Sequence, residues 1–412
     1  MNIEDLILVS VDDHIIEPPD MFEGRLPAKY QEAAPKFLRK DDGTMAWLYE
    51  GVEIPNIAVN AVSGRPKEEY GFEPVSIEEL REGCYDVEAR VKDMDANGVL
   101  GSMCFPSFVR FCGQLFLENG EREQSAAMVR AYNDWHVDAW CGAHPERFIP
   151  LGLPILWDPE ASAAEVRRLA AKGCHAVSFT SGPVALGLPS LYTDHWDPFF
   201  AACLETDTVI AMHLGSDSRS PRTAPEAPIE MIYSLSPIGL IEAATDLVWS
   251  PIFKKFPGLT VALSEGGIGW MPYFLERIDY IWSHTQHWTG TDLDGKLPSE
   301  VFKENVVTCF VDDTVGIENR AHLNLDRITW ECDYPHSDST WPFSPERLMP
   351  QFEGLSDAEI NKVTHENAMT LFSYDPFGTL PKSQATVGAL RTRVPDWDVS
   401  IKPTAHLRPV GV

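Results

Sequence analysis

The sequence has no CxxC pair, no surplus of basic residues, no low-complexity tract and no apolar stretch near the ~18 residues of a membrane span. Each absence removes a class of protein. The eight cysteines (84, 104, 112, 141, 174, 203, 309 and 332) follow no even spacing, which argues against a thiolate metal ribbon or a disulfide framework. Several sit inside apolar runs, as reduced buried thiols do. Lys and Arg number 33 against 62 acids, a formal charge of −29, so the averaged field repels a polyanion and sets nucleic acid aside. A local basic patch could still take a small anionic substrate. The opening Met1-Asn2-Ile3-Glu4-Asp5 lacks the basic region of a signal peptide, so a cytoplasmic protein without membrane contact is expected.

What is present is ample apolar material, 44% of 412 residues, enough for a sizeable core. Eight short apolar runs recur at 6–11, 99–105, 148–156, 174–179, 208–212, 259–263, 306–311 and 328–330. Runs this short and this apolar suit parallel strands covered on both faces. Between them, 87–97, 122–144, 159–172, 196–205, 237–256, 270–283 and 315–324 have helical spacing, and Gly98, Gly173 and Gly258 fall where C-terminal caps belong. Eight strands alternating with helices predict an α/β fold, a (β/α)8 TIM barrel, with a doubly wound open sheet as the other architecture.

In this reading residues 1–372 form one metal-dependent domain with a lid insertion after strand 1, at about 15–83, too long for a βα loop. Residues 216–236 form a second long loop, and 373–412 a C-terminal arm that wraps the domain or reaches a second copy in a homodimer.

The stretch with the most chemistry is Trp330-Glu331-Cys332-Asp333-Tyr334-Pro335-His336, where an apolar run breaks into acids and a histidine. Three other runs end the same way. The first ends Val11-Asp12-Asp13-His14, and a period of two puts Asp12 and His14 on one side as a two-ligand clamp. The fifth ends at His213 and the sixth at Ser264-Glu265-Gly266-Gly267. Each group alone has a bland reading, as a surface pair, a core histidine or a helix cap. In a barrel the strand ends converge, and Asp12, His14, His213, Glu265, Asp333 and His336 become one metal-ligand set. Imidazole and carboxylate without thiolate suit Zn, Mn or Fe, and six candidates exceed the needs of one open site, so two metals are expected. Glu17 and His336 are the candidate acid/base groups.

With these residues in hand, the chain resembles the amidohydrolase superfamily, in its amidohydrolase-related (amidohydrolase 2) branch. The likeness rests on Val11-Asp12-Asp13-His14, Phe256-Pro257-Gly258-Leu259, Ser264-Glu265-Gly266-Gly267 and Asp333-Tyr334-Pro335-His336. It implies a (β/α)8 fold and a zinc or manganese ion held by Asp12, His14, His213 and Asp333. The chain departs from the family pattern in two places. Glu265 stands where the family carries a catalytic histidine, and Phe179-Thr180-Ser181-Gly182 offers no lysine to bridge two metals. Ser-Glu-Gly-Gly with the Asp-Tyr-Pro-His-Ser-Asp ending is similar to a sub-branch of non-haem di-iron monooxygenases. That likeness implies two Fe ions, dioxygen, an electron donor and hydroxylation of an apolar acid or CoA thioester, such as a terpenoid. The alternative expectation is a mononuclear Zn or Mn hydrolase or non-oxidative decarboxylase. A third is a non-catalytic barrel that binds a ligand or partner.

Overall fold

The computed structural model describes residues 1–71 and 73–408. Eight parallel strands alternate with helices: β1 (Leu8–Ile15), β2 (Val99–Pro106), β3 (Phe148–Ile149), β4 (Ala176–Phe179), β5 (Val209–His213), β6 (Val261–Ser264), β7 (Val306–Phe310) and β8 (Ile328–Trp330). The fold is a (β/α)8 barrel. Every residue of these strands is buried, which is why the sequence shows continuous apolar runs in place of alternation.

Two compact units make up the chain. The first holds Met1–Leu153, Cys332–Met349 and the segment from Asp375; the second holds Pro154–Glu331 and Pro350–Tyr374. In the first the strand order is β3-β2-β1, and in the second β8-β7-β6-β5-β4, all pairs parallel.

Among the boundaries that differ from those read off the sequence, three stand out. β3 is two residues long, because Pro150 brings no N–H to extend the ladder. β1 runs on to Ile15, carrying the Asp-x-His clamp inside the strand, with a bulge between Ser10 and Asp13. The stretch expected as a loop before the fifth helix is partly helical, so Ile229–Trp249 is a 21-residue run of mean hydropathy 1.2 whose apolar window is only 28% buried. Its length and composition reach those of a membrane span, as no run read off the sequence did.

In the first unit, the insertion after β1 builds a three-stranded antiparallel sheet from Lys36–Arg39, Met45–Tyr49 and Val52–Ile54. Trp47 anchors it. Its fully buried ring stacks on Phe108 at 4.1 Å and meets Phe37 edge-on at 4.9 Å. Helix Val87–Asn97 begins on the Asp86 carboxylate, which accepts the Ala89 N–H, and ends at Gly98 with φ +77°. That left-handed turn favours glycine, and any Cβ there would meet Val387 at 2.8 Å. The arm after Asp375 lies along its own unit. Val387 N–H donates to the Leu6 carbonyl at 2.8 Å, Lys402 N–H to the Gly64 carbonyl at 2.8 Å, and Glu69 accepts the Thr404 and Ala405 N–H groups.

Replacing Trp47 by alanine is expected to cost about 3–5 kcal/mol of unfolding free energy in urea denaturation. A loss below about 1 kcal/mol would show that the insertion docks by other contacts.

Candidate metal centre

In the first unit the end of β1 and the loop after β8 are held by four backbone-mediated bonds. Asp333 N–H donates to the Asp12 carbonyl at 2.9 Å and His14 N–H to the Tyr334 carbonyl at 2.7 Å. The Cys332 N–H meets the Ser10 hydroxyl at 2.8 Å, and the Tyr334 N–H meets the Asp13 carboxylate at 3.0 Å. Asp13, on the opposite side of the strand from Asp12 and His14, thus fastens the loop, as the period of two requires.

The candidate side chains gather on the other side. His14 Nε2 lies 3.5 Å from Asp12 Oδ1 and 3.2 Å from Asp333 Oδ1, and all three side chains are fully buried. His336 Nδ1 lies 2.9 Å from the same Asp333 oxygen, and its ring stacks on that of His14 with centroids 3.7 Å apart. Asp333 has φ +57°, a left-handed backbone rare outside glycine, which turns its carboxylate between the two imidazoles. Phe105 and Phe111 flank the His14 ring at 6.2 and 5.9 Å and make an apolar wall.

The second unit supplies its own pair. His213 ends β5 with Nδ1 against the Leu214 carbonyl, so the proton belongs on Nδ1 and the Nε2 lone pair is directed away from it. Nε2 is 3.4 Å from Glu265 Oε2. Glu265 also has a left-handed backbone, φ +67°, and its N–H donates to Glu331 Oε2 at 3.1 Å. Glu331 is 1% exposed and takes the Cys309 thiol on the same oxygen.

Burial sets the electrostatics. It drives the His14 imidazole down to about 4, helped by the nearby His336, so His14 is neutral near pH 7 with a lone pair to give. Burial alone would raise Asp333, but the His336 charge and bonds from His14 and His336 hold it well below the usual carboxylate range. An ionised carboxylate, a neutral imidazole and a second imidazole therefore sit together, with donor atoms of His14, Asp333 and His336 all within 4.8 Å of one another. The chemistry of this set fits a divalent ion of borderline hardness.

Glu17 takes a different position. It is 2% exposed and accepts the Phe108 N–H at 2.8 Å and the Ser107 N–H at 3.1 Å, pinning the turn after β2. The sequence reading passed over Arg90, Asp93 and Asn97. They lie on the buried face of helix Val87–Asn97, and Arg90 donates to the carbonyls of Gly83 and His14. Their spacing of three and four along an otherwise polar helix was the available signal.

Burial pushes Glu17 up to about 7 from an ordinary 4.5, against the pull of the Phe108, Val109 and Ser107 N–H groups. The folded protein therefore binds this proton more tightly than the unfolded chain. The resulting stability is full below pH 4.5 and lost as pH rises through 7. Relative to Glu17→Gln, the unmodified protein is expected to lose about 2–3 kcal/mol over that interval in urea denaturation of metal-free samples. Parallel pH profiles would refute it.

The family description "Amidohydrolase" matches residues 59–373. The gamma-resorcylate decarboxylase of Rhodococcus jostii (strain RHA1) is 28% identical over 285 residues, 62% of this chain and 79% of that protein. An amidohydrolase from Mycobacterium avium subsp. paratuberculosis K-10 superposes with a TM-score of 0.68 at 19% identity, over 89% of this chain and 97% of that one. The 5-carboxyvanillate decarboxylase of Novosphingobium aromaticivorans DSM 12444, solved with manganese and 4-hydroxy-3-methoxy-5-nitrobenzoic acid, gives 0.61 at 19% identity, over 90% and 98%.

These relatives overturn the oxygenase expectation. Monooxygenase and oxidoreductase activity with an iron pair was expected, and the relatives are decarboxylases; nothing supports the dioxygen and electron donor that went with it. The surplus of carboxylates that suggested a second iron has a simpler account. Asp333 is engaged by two imidazoles and Glu265 by His213. What stands is a group of buried side chains able to hold a metal ion. The match over residues 59–373 spans most of the sequence, and the chain belongs to the amidohydrolase family.

Proposed function

We propose that this protein removes a carboxyl group from an aromatic acid by metal-dependent, non-oxidative decarboxylation. The observation that carries the reading is the buried Asp333 carboxylate between His14 and His336, in a chain whose relatives include decarboxylases of aromatic acids. Asp12, His14, His213 and Asp333 would hold the ion, with Glu265 beside His213 as a further donor. Manganese or zinc bound there supplies Lewis-acid charge for an anionic substrate.

The balance is simple. The bond between ring carbon and carboxyl carbon breaks, carbon dioxide leaves, and the ring carbon takes one proton; no oxidant or reductant enters. The proton needs a donor of this chain. The resemblance places a histidine before the double glycine, where this chain has Glu265, so the donor must stand elsewhere. His336 is the group we assign, since its Nδ1 is 2.9 Å from the Asp333 carboxylate, which orients the ring. Phe105 and Phe111 give an aromatic ring an apolar surface and keep water from the His14 side.

Two measurements test this. Metal analysis after reconstitution with Mn2+ is expected to give about one ion per chain, falling at least tenfold in Asp12→Ala and His213→Ala. In His336→Gln the ion should remain while kcat drops about 10²–10⁴-fold; equal metal loss in all three would remove the proton-donor assignment. Against a panel of hydroxybenzoates, carbon dioxide and decarboxylated arene should form in equal amounts and at the same rate with and without air. Turnover that stops under argon defeats the proposal.

A further inference from the structure

Besides Asp13, the Asp333–His336 loop is braced by a second buried carboxylate that the proposed chemistry does not use. Asp93, on helix Val87–Asn97, is 1% exposed and takes three side-chain donors from three different parts of the first unit. Its Oδ2 accepts the Tyr334 hydroxyl at 2.6 Å. Its Oδ1 accepts Arg81 of the insertion at 2.6 Å and the indole N–H of Trp397, in the C-terminal arm, at 2.8 Å. Arg81 also donates to the arm carbonyl of Asp398 at 3.1 Å.

Tyr334 is the residue between Asp333 and the Pro335-His336 pair, so whatever fixes its ring fixes the two functional side chains on either side of it. Both ends of Tyr334 are held. Its backbone is bonded to Asp13 and His14, its hydroxyl to Asp93, and the Arg90 guanidinium lies 4.5 Å from its ring centre. Trp341 closes the same loop, donating its indole N–H to the Asp93 carbonyl at 3.1 Å and carrying the Arg81 guanidinium 4.3 Å from its ring. Space confirms the fit: a Cβ on Gly83 would come within 2.3 Å of Asp93 Oδ2 and 3.1 Å of the Tyr334 oxygen. A buried carboxylate tolerates burial only when charged and polar donors surround it, so removing one donor loosens the others.

We infer that Asp93 is a positioning residue for the metal-bearing loop and that the C-terminal arm, through Trp397, is the latch that holds it in place. The arm is then part of the functional apparatus although none of its residues enters the cluster. For its metal-binding consequence, the inference rests on the proposed ligand set; for the mechanical one it does not.

The test uses the full-length chain carrying Trp397→Phe, which keeps the ring and deletes the N–H, beside Asp93→Asn as a stronger lesion. Amide hydrogen exchange of the metal-free proteins should speed up at least tenfold for peptides spanning residues 333–336 in Trp397→Phe. Peptides from helix Pro159–Ala170, in the second unit, should not change. The dissociation constant for Mn2+, read by electron paramagnetic resonance, should rise about three- to tenfold, the scale of one hydrogen bond of ordinary net strength. Unchanged loop exchange with a merely lowered melting temperature would overturn the latch, because a purely structural tryptophan gives that result. If the unmodified chain binds no Mn2+, the ligand assignment falls with its consequence, while the exchange result still decides the latch.

Discussion

The cluster in the first unit depends on keeping an ionised carboxylate, Asp333, fully out of water. Several kcal/mol per buried charge must be offset by close partners, and here these are the two imidazoles of His14 and His336 at 3.2 and 2.9 Å. Burial leaves His14 neutral, and the His336 ring stacked 3.7 Å away adds to the effect. A pocket that holds one anionic and one neutral donor at neutral pH is prepared for a cation before any cation arrives. Pre-organisation of this kind needs a stiff backbone, which the bonds among Ser10, Asp12, Asp13, His14, Cys332, Asp333 and Tyr334 supply.

That stiffness continues outward through polar contacts more than through apolar packing. Helix Val87–Asn97 turns Arg90, Asp93 and Asn97 inward. Arg90 reaches the His14 carbonyl, Asp93 the Tyr334 hydroxyl, and Asn97 both the N–H and the hydroxyl of Ser344. A satisfied network of this sort specifies geometry at some cost in stability, because each member would be destabilising without its partners. The second unit repeats the device on a smaller scale. Glu331 takes the Glu265 N–H and the Cys309 thiol, and so fixes a left-handed turn that a glutamate does not adopt by preference.

The oxygenase expectation failed for an instructive reason. Three carboxylates among the candidate ligands were counted as charge available to metal, and a count by residue type cannot tell an acid that binds an ion from one that orients an imidazole. Glu265 is 3.4 Å from His213 and Asp333 touches two histidines, so the acids and imidazoles are partners of one another as much as of any ion. Counting donors by type led to a pair of iron ions, and the decarboxylase relatives contradict it.

The sequence by itself determined the eight strands, their parallel order and the polar groups that break out at their ends. Continuous apolar runs and abrupt acids or histidines are local signals, carried by neighbouring residues whatever the rest of the chain does. It also carried the Asp12/His14 clamp, because a period of two is a property of any strand. Only the tertiary structure decided that Glu17 pins the Ser107–Phe108 turn, that His336 stacks on His14, and that Asp93 joins residues 81, 334 and 397. Those contacts link positions up to 322 residues apart, and no periodicity spans such a distance. They exist because burial selects, from all the polar groups a chain holds, the few that can satisfy one another at a given depth.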